Sequence, residues 1–360
     1  MQETSRHKFP YRWRLKDGYP AKGIEYHGKK VFGTFICGGG STMGYKLAGY
    51  EHLGGVEIDP KIAAIYKENH HPKMLYTMDI REFNKLKDLP SDLFDLDLLD
   101  GSPPCSTFST SGSREKAWGK EKVFAEGQAK QTLDDLTFEY CQTIDRLKPK
   151  VCLLENVSGL VKGNAKVYAK RIKETIEKSG YRVQLFLLNA ATMGVPQARQ
   201  RVFFIGLRND FKLPPLKLEF NEKPILFGEL IDRTDTAVNL SEYRQKLWPM
   251  RKPTDKSFAD IIARTENGRL SMFDDVFIKS NEVAPTLKTK GGETLYELPR
   301  LLNNKESCLI DSFPIDYEGG AKDKMACWYE RPTNNDGASI ASNLSAMAVE
   351  NKRLTNGYTN

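Results

Sequence analysis

The chain has 360 residues, of which 39% are hydrophobic and 28% charged, so it can form one large domain with an insert or two domains. No apolar run approaches the roughly 20 residues that cross a bilayer, and the first residues lack a signal-peptide pattern, so we expect a cytoplasmic protein. Six cysteines and five histidines occur without a CxxC pair, a Cys/His cluster or an HExxH spacing. That pattern argues against a metal site and a disulfide scaffold.

The net charge of +7 is concentrated at the start of the chain, where residues 1–30 contain eight Lys/Arg and three Asp/Glu. Within this arm, Tyr11–Lys16 interleaves basic and aromatic side chains. Such a segment suits a phosphate backbone and stacked bases. It equally suits a solvated basic arm whose aromatic side chains pack onto the domain, and the sequence leaves both interpretations open.

Short apolar runs alternate with segments of helical periodicity over residues 30–207. The predicted strands are Val31–Ile36, Leu53–Ile58, Phe94–Leu99, Val151–Leu154, Tyr181–Leu188 and Val202–Leu207. The predicted helices run from the glycine turn to Ala48, from Asp59-Pro60 onward, over 128–147 and over 164–179. This alternation predicts an α/β fold with a doubly wound, mostly parallel sheet.

The pattern changes after residue 210. Residues 211–298 are rich in proline and charge, with fourteen Lys/Arg and fourteen Asp/Glu, and predict a separate small domain. Residues 299–320 regain apolar periodicity, and the last forty residues are polar and poorly patterned.

A glycine-rich turn follows the first predicted strand, over Phe35–Ser41. Glycines let a backbone turn sharply and approach a ligand closely. Glu57 ends the next strand, where a carboxylate can accept hydrogen bonds from ribose hydroxyls, and Asp79 follows another apolar segment, where it could meet an adenine edge. The ligand could be a dinucleotide or S-adenosylmethionine. The absence of a full GxGxxG favours the methyl donor, and the alternative is a tight turn with surface acids.

A second group of residues follows the later strands. Asp100–Ser109 contains Cys105 just past a strand end, where open α/β sheets bind ligands. Glu155 ends the strand that begins at Val151 and should lie on the same edge. Arg199 and Arg201 alternate with other residues, so in an extended segment both point to one face. Taken singly, these residues could be an inert loop cysteine, a helix N-cap acid and a salt-bridged strand edge.

Together, these blocks resemble the C5-cytosine-specific DNA methyltransferase family. In order, the blocks are Phe35–Gly40, Glu57-Ile58-Asp59, Asp79-Ile80, Pro103-Pro104-Cys105-Ser106, Glu155-Asn156-Val157 and Gln197-Ala198-Arg199-Gln200-Arg201. They lie within residues 31–207, about half of the chain. Ala284-Pro285-Thr286-Leu287 is similar to the segment where the family leaves its target-recognition domain, and Arg300–Pro314 is similar to the start of the return to the catalytic domain.

The resemblance implies a Rossmann-like catalytic fold, S-adenosylmethionine as cofactor and a flipped cytosine as substrate. Cys105 would add to carbon 6 of the base, Glu155 would bind ring N3 and the exocyclic amine, and Arg199 and Arg201 would hold the base oxygen. The residues implied in cofactor binding are Phe35, Gly38, Gly39, Gly40, Glu57, Ile58, Asp79, Ile80 and Pro103. Those implied in substrate binding are Ser106, Asn156, Gln197 and Thr286.

The resemblance also implies partners and domains. We expect a monomeric, bacterial or phage-encoded enzyme that acts on double-stranded DNA at the nucleoid, with a cognate restriction endonuclease as a further potential partner. The polar run 109–122 would be a loop that closes over the base. The predicted parts are a basic arm (1–30), a catalytic and cofactor-binding domain (31–210), a target-recognition domain (211–298) and a C-terminal return (299–360).

Two positions depart from the family pattern. Cys37 stands where the first motif usually has its first glycine. The motif Gly-Asn-Ser-Val-Pro-Pro, which completes the cofactor pocket in such enzymes, does not follow Phe313-Pro314. Codons for the segment from Met325, read one base later, permit Gly-Met-Ser-Val-Pro-Pro-Thr-Met-Met-Ala. We therefore hypothesise that a frameshift replaced the native tail from about residue 320, whereas the alternative is a divergent tail.

Three other functions compete with DNA methylation. A tRNA cytosine-5 methyltransferase can share all these motifs, although the 88-residue segment 211–298 favours a reader of DNA sequence. An impaired methyltransferase could still bind DNA. A nicotinamide oxidoreductase is disfavoured because the dinucleotide glycine spacing is absent.

Overall fold

The fold was analysed in a computed structural model of the chain. The structure describes residues 12–18, 26, 28–104, 133–163, 165–212, 214–218, 220–266, 276–287 and 292–317. Cys105, Ser106, the predicted loop 109–122 and the tail from residue 318 lie outside the described residues.

A seven-stranded sheet forms the centre of the molecule. Its strands, in chain order, are β1 (Lys30–Thr34), β2 (Glu51–Glu57), β3 (Met74–Thr77), β4 (Leu98–Gly101), β5 (Val151–Val157), β6 (Tyr181–Asn189) and β8 (Gln200–Arg208). Their spatial order is β3-β2-β1-β4-β5-β8-β6, and every pairing is parallel except those of β8, which runs antiparallel to both neighbours. The predicted fold class, a doubly wound and mostly parallel α/β sheet, is confirmed.

Helices follow most of these strands. They are α1 (Gly40–Leu47), α2 (Pro60–His70), α3 (Ile80–Lys85), α4 (Leu133–Leu147) and α5 (Ala165–Lys178). The predicted start of α2 is confirmed, because Pro60 is its first residue and the Asp59 side chain accepts the amides of Lys61 and Ile62. None of the helices in the described ranges has the length and apolarity of a membrane span.

Alternate residues along each central strand enter two different cores. Phe32, Leu99 and Leu154 lie in the larger cluster with side chains of α4 and α5. Their neighbours Val31, Leu98 and Leu153 face the opposite way, into a cluster that contains Tyr45 of α1. Because side chains of a strand point to alternate faces, these buried strands are apolar on both sides.

The strand predicted over Phe94–Leu99 is present, but its predicted start is wrong. Residues Ser91–Phe94 form a 3-10 helix that follows Pro90, and strand β4 begins only at Leu98. Phe94 is exposed, whereas Leu93 and Leu96 are buried, so the apolar residues of this segment mark a turn onto the sheet. The strand also runs on through Asp100 and Gly101, which pair with Gly33 and Thr34 of β1.

Residues 214–317 hold shorter elements that the sequence did not predict individually. These are α6 (Glu242–Leu247), α7 (Phe258–Thr265), β9 (Phe277–Ile278), β10 (Ala284–Pro285), β11 (Thr294–Leu295) and α8 (Asn304–Ile310). A further short strand, β7 (Gln197–Ala198), precedes this region. Strand β10 pairs in parallel with β7, and β11 pairs in parallel with β9. One apolar cluster joins Phe227 and Ile278 to Leu309 and Ile310 of α8.

A buried ion pair connects α8 to the chain that precedes it. Both terminal nitrogens of Arg300 donate to the Glu306 carboxylate, at 2.8 and 2.7 Å. Arg300 also donates to the backbone oxygens of Asp232 and Asp235, and Glu306 accepts the Asp232 amide. Such a pair offsets its desolvation only when the remaining donors and acceptors are satisfied, as they are here.

Asp100 is an acid buried at the end of β4, next to helix α1. Its carboxylate accepts a hydrogen bond of 3.3 Å from the Tyr45 hydroxyl, and the Ser41 side chain and the Gly101 amide also donate to it. Burial raises the pKa of Asp100 from 3.8 to about 7, and the hydrogen bonds oppose that rise. The side chain therefore exchanges its proton near neutral pH.

This pKa gives a signed prediction for stability. Between about pH 4 and pH 7 the unfolded chain has lost the Asp100 proton and the folded chain keeps it, so the free energy of unfolding falls as the pH rises. We expect Asp100→Asn to remove this slope and to stabilise the protein at pH 8 by roughly 4 kcal/mol relative to its effect at pH 4. Urea denaturation of both proteins across pH 4–8 measures the difference.

Asp92→Asn is the control, because the hydrogen bond from Lys30 lowers the pKa of this exposed acid. The Asp92→Asn substitution should therefore give no increase in the free energy of unfolding at pH 8. Parallel stability profiles for wild type and Asp100→Asn would contradict the prediction.

Candidate active site

The predicted site residues that the structure describes gather along one edge of the sheet. Parallel strands present their carboxyl ends at the same edge, and β1, β2, β4 and β5 end there. Strand β8 begins at that edge because it runs the opposite way, and its Arg201 pairs with Val157, the last residue of β5.

The turn after β1 has an unusual backbone. Phe35 and Cys37 have φ values of +56° and +49°, and Gly39 has +90°. The left-handed region costs a non-glycine residue of the order of 1 kcal/mol, so Cys37 carries strain that a glycine in its place would avoid. Gly39 precedes Gly40, the first residue of α1, and its carbonyl accepts the Met43 amide at 3.0 Å. The predicted cofactor turn thus leads directly into a helix N-terminus.

Glu57 holds this turn from the end of β2. One carboxylate oxygen accepts the Cys37 amide at 2.9 Å and the other accepts the Asp59 amide at 3.0 Å. The side chain is buried, which raises its pKa, and these backbone hydrogen bonds act in the opposite direction. Each carboxylate oxygen accepts two hydrogen bonds, so Glu57 can hold the turn and still receive a ligand hydroxyl.

Ile58, Asp79 and Ile80 lie at the neighbouring strand ends. Asp79 is the N-cap of α3, where its side chain accepts the Arg81 amide at 2.8 Å and pairs with the Arg81 guanidinium at 3.1 Å. Ile80 is buried at the start of that helix, and Ile58 is half-buried. Asp79 therefore has a structural task in addition to the predicted contact with an adenine edge.

Glu155 and Arg201 form an ion pair at the same edge. Glu155 pairs across the ladder with Phe203 and lies diagonally opposite Arg201, on the same face of β5 and β8. The Arg201 Nε lies 3.0 Å from Glu155 Oε1. The Glu155 side chain is only 1% exposed and that of Arg201 12% exposed, so the pair borders solvent on the arginine side.

Asn156 connects β5 to the segment that carries Cys105. Its side-chain amide donates to the Pro103 carbonyl at 3.5 Å, and its oxygen accepts the Val157 amide at 2.8 Å. Ser102, the residue before Pro103, donates to the Phe35 carbonyl at 3.3 Å, so the start of the same segment also contacts the glycine turn. The chain therefore enters the cysteine segment between the predicted cofactor turn and Glu155.

The segment of Arg199 and Arg201 is not one strand. Gln197-Ala198 pairs with β10, whereas the residues from Gln200 onward belong to the large sheet. Arg199 lies between the two strands and is buried. Gln197 is buried and donates from its side chain to Asp311, and Thr286 donates to the Ala198 carbonyl at 3.1 Å. These contacts join the seven-stranded sheet to the region that contains β10.

Sequence reasoning missed four residues around this edge, namely Asp100, His70, Asp311 and Tyr317. An acid inside the apolar run before Cys105 was a visible signal for Asp100. His70 lies under the glycine turn, where a Cβ on Gly39 would come within 2.1 Å of its Nε2. Nothing in the local sequence indicates that Asp311 meets Gln197 or that Tyr317 meets Gly38, because these contacts span more than 100 residues.

Comparison with known proteins identifies the family. The family model for C-5 cytosine-specific DNA methylase matches residues 30–331. Type II methyltransferase M.NgoPII of Neisseria gonorrhoeae is 31% identical over 263 residues, which are 72% of this chain and 69% of that protein. Type II methyltransferase M.FnuDI of Fusobacterium nucleatum is 28% identical over 259 residues, which are 71% of this chain and 67% of that protein.

Solved structures with the same fold include a candidate DNA modification methyltransferase encoded within an Escherichia coli prophage. It has a TM-score of 0.60 at 17% identity, over 91% of this chain and 100% of its own. A mutant of DNMT2 from Spodoptera frugiperda has a TM-score of 0.58 at 16% identity, with the same coverage of both chains. At such identities the likeness shows the Rossmann-like fold alone. The family model spans most of the chain, however, and the chain belongs to the C-5 cytosine-specific DNA methylase family.

Proposed function

We propose that this protein transfers a methyl group from S-adenosylmethionine to carbon 5 of a cytosine flipped out of duplex DNA. The observation that carries the proposal is the buried Glu155–Arg201 pair, set beside the segment that leads into Cys105. A carboxylate and a guanidinium at one sheet edge can bind a pyrimidine ring, and the thiol of Cys105 would attack that ring.

The residues of the glycine turn fit S-adenosylmethionine. A Cβ added to Gly38 would meet no atom within 4 Å, so space is open beside this backbone. Glu57 faces the turn with unused acceptor capacity for ribose hydroxyls, and Asp79 and Ile80 occupy the adjacent strand end. Phe35, Gly38, Gly39, Gly40, Glu57, Ile58, Asp79, Ile80 and Pro103 would hold the cofactor. When bound, the cofactor supplies an electrophilic methyl group.

The chain's own residues prepare the cytosine. The Cys105 thiolate adds to carbon 6, which forms a carbon–sulfur bond and makes carbon 5 electron-rich. Glu155 donates a proton to ring N3, where the electron pair displaced by the addition collects, and accepts a hydrogen bond from the exocyclic amine, and so stabilises the adduct. Arg201, with Arg199 nearby in the chain, binds the base oxygen and favours the thiolate. After methylation, a base removes the carbon-5 proton, the carbon–sulfur bond breaks, and Cys105 leaves as thiolate.

We assign residues 211–298 to target recognition and the chain from 299 to a return toward the catalytic domain. The pairing of β7 with β10 places Thr286 beside Gln197-Ala198, next to the catalytic arginines. Ser106, Asn156, Gln197 and Thr286 would then border the DNA. The relatives named Type II methyltransferases support a role in restriction-modification, as the partner of an endonuclease.

The direct test is methyl transfer from labelled S-adenosylmethionine to duplex DNA and to tRNA. We expect label in DNA, at cytosines that bisulfite sequencing then locates, and no label with Cys105→Ala because the nucleophile is gone. Label in tRNA alone would show a tRNA methyltransferase. DNA binding without label in either substrate would show an impaired enzyme.

Glu155→Gln tests the role of the carboxylate. The amide is nearly isosteric but carries no charge to pair with Arg201, so we expect the methylation rate to fall roughly 10²- to 10⁴-fold with the cofactor dissociation constant unchanged. Single-turnover assays measure the rate. Glu177→Gln on α5 is the matched control, because Glu177 also pairs with a basic side chain, that of Lys173, away from the site, and its rate should stay at the wild-type value. A Glu155→Gln rate within twofold of wild type would refute the assignment.

The tail hypothesis is tested at the level of the gene. If a frameshift lies upstream of Met325, the nucleotide sequence read one base later spells Gly-Met-Ser-Val-Pro-Pro. A variant with this frame restored should bind S-adenosylmethionine more tightly, because the motif completes the pocket in enzymes that the chain resembles. Calorimetric titration of both proteins measures the change. A gene that does not encode the motif in the shifted frame excludes the hypothesis.

A further inference from the structure

Residues 12–16 bind residues 312–317, although the two segments lie far apart in sequence. The Trp13 indole donates to the Ser312 carbonyl at 3.1 Å, and the Ile315 amide donates to the Trp13 carbonyl at 3.2 Å. The amides of Leu15 and Lys16 donate to the Asp316 carboxylate at 2.6 and 3.2 Å. We name this pair of segments the clasp.

The clasp packs on the helix that follows the glycine turn. Trp13 is buried against Met43 and Leu47 of α1, in a cluster that also contains Phe313. The Arg12 side chain donates to the Glu229 carbonyl, so the same short segment also contacts the region after β8. For Trp13, this arrangement agrees with the interpretation in which aromatic side chains of the arm pack onto the domain.

Tyr317 extends the clasp onto the glycine turn itself. Its hydroxyl donates to the Gly38 carbonyl and lies 2.9 Å from His70 Nε2. Because the hydroxyl has only one proton, the contact with His70 requires that Nε2 carry a proton and donate it. Burial keeps the pKa of His70 well below its usual value, so the ring is neutral and Nδ1 is a bare acceptor.

His70 supports the turn from below. A Cβ on Gly39 would lie 2.1 Å from His70 Nε2, so the imidazole is in direct contact with the backbone of the turn. Nδ1 has no hydrogen-bond partner within the described ranges, and the ring is held by packing against Tyr66, by a hydrogen bond with the Gly39 backbone and by its bond with Tyr317. The Tyr317 hydroxyl is therefore one of the groups that fix the imidazole against Gly38 and Gly39, and it is the one contributed by the clasp.

From these contacts we infer that Tyr317 is a positioning residue for the cofactor turn, and that the arm residues Trp13, Leu15 and Lys16 act on cofactor binding by holding Tyr317 in place. The inference rests on the proposed function for the identity of the ligand, S-adenosylmethionine. The ordering of the turn by Tyr317 is a property of the chain alone. Residues 12–16 therefore act on cofactor binding. Their charge, in contrast, suggests contacts with DNA.

Tyr317→Phe tests this inference, because it removes the hydroxyl and keeps the ring on Phe313. In the full chain without ligand, we expect amide hydrogen exchange over Cys37–Tyr45 to become about fivefold to tenfold faster. The dissociation constant for S-adenosylmethionine should rise by a similar factor, whereas kcat at saturating cofactor and the KM for DNA stay unchanged. Asp316→Ala should shift both readouts in the same direction by a smaller factor.

Tyr181→Phe is the matched control, since its hydroxyl also donates to a backbone carbonyl, that of Pro149, but at the far end of the sheet. It should lower the melting temperature without changing exchange in the turn. Wild-type exchange in Tyr317→Phe would overturn the inference, and so would a change that Tyr181→Phe reproduces. A wild-type chain that binds no S-adenosylmethionine would instead contradict the proposed function, and the exchange measurement would still decide the role of Tyr317.

Discussion

The geometry of the candidate active site depends on the direction of one strand, β8. Strand β8 runs antiparallel between β5 and β6, so it begins at the edge where β5 ends. The register that opposes Arg201 to Val157 makes Arg201 the diagonal neighbour of Glu155, on the same face of the sheet. A parallel β8 would have carried Arg201 to the opposite edge. The proposed binding of the base therefore depends on strand register more than on either side chain alone.

The cofactor side of the edge depends on a different constraint, the left-handed backbone of the turn after β1. Three groups stabilise this turn from three parts of the chain. Glu57 accepts the Cys37 amide, His70 lies against Gly39, and Tyr317 binds the Gly38 carbonyl. Because Cys37 occupies a conformation that suits glycine, external contacts of this kind compensate for local preference. A change at the remote residue 317 can then affect the turn.

The central sheet could be predicted from the sequence because local apolar runs mark each buried strand. The strand predicted over Phe94–Leu99 was placed too early because apolar residues also form the 3-10 turn that leads onto the sheet. Glu155 and the glycine turn were singled out because each lies at the end of a predicted strand, and the resemblance to a family placed Arg201 with them. His70 and Tyr317 could not be found in this way, since their partners are set by tertiary packing. The roles of Cys105 and Ser106 stay predictions, because both lie outside the described residues.

Three buried carboxylates at this edge show how the partner of an acid determines its chemistry. Glu57 is bound by backbone amides, which favour its charged form against desolvation. Glu155 faces a guanidinium, a full opposite charge, in a geometry that leaves the pair open toward solvent on one side. Asp100 receives two hydroxyls and one amide, and with these partners its pKa is about 7. Hydroxyl groups compensate least for a buried charge, because they are neutral donors that rotate freely. The sheet edge thus has one acid that holds the glycine turn and one that is proposed to bind the cytosine, while the third exchanges its proton near neutral pH beside the helix that follows the turn.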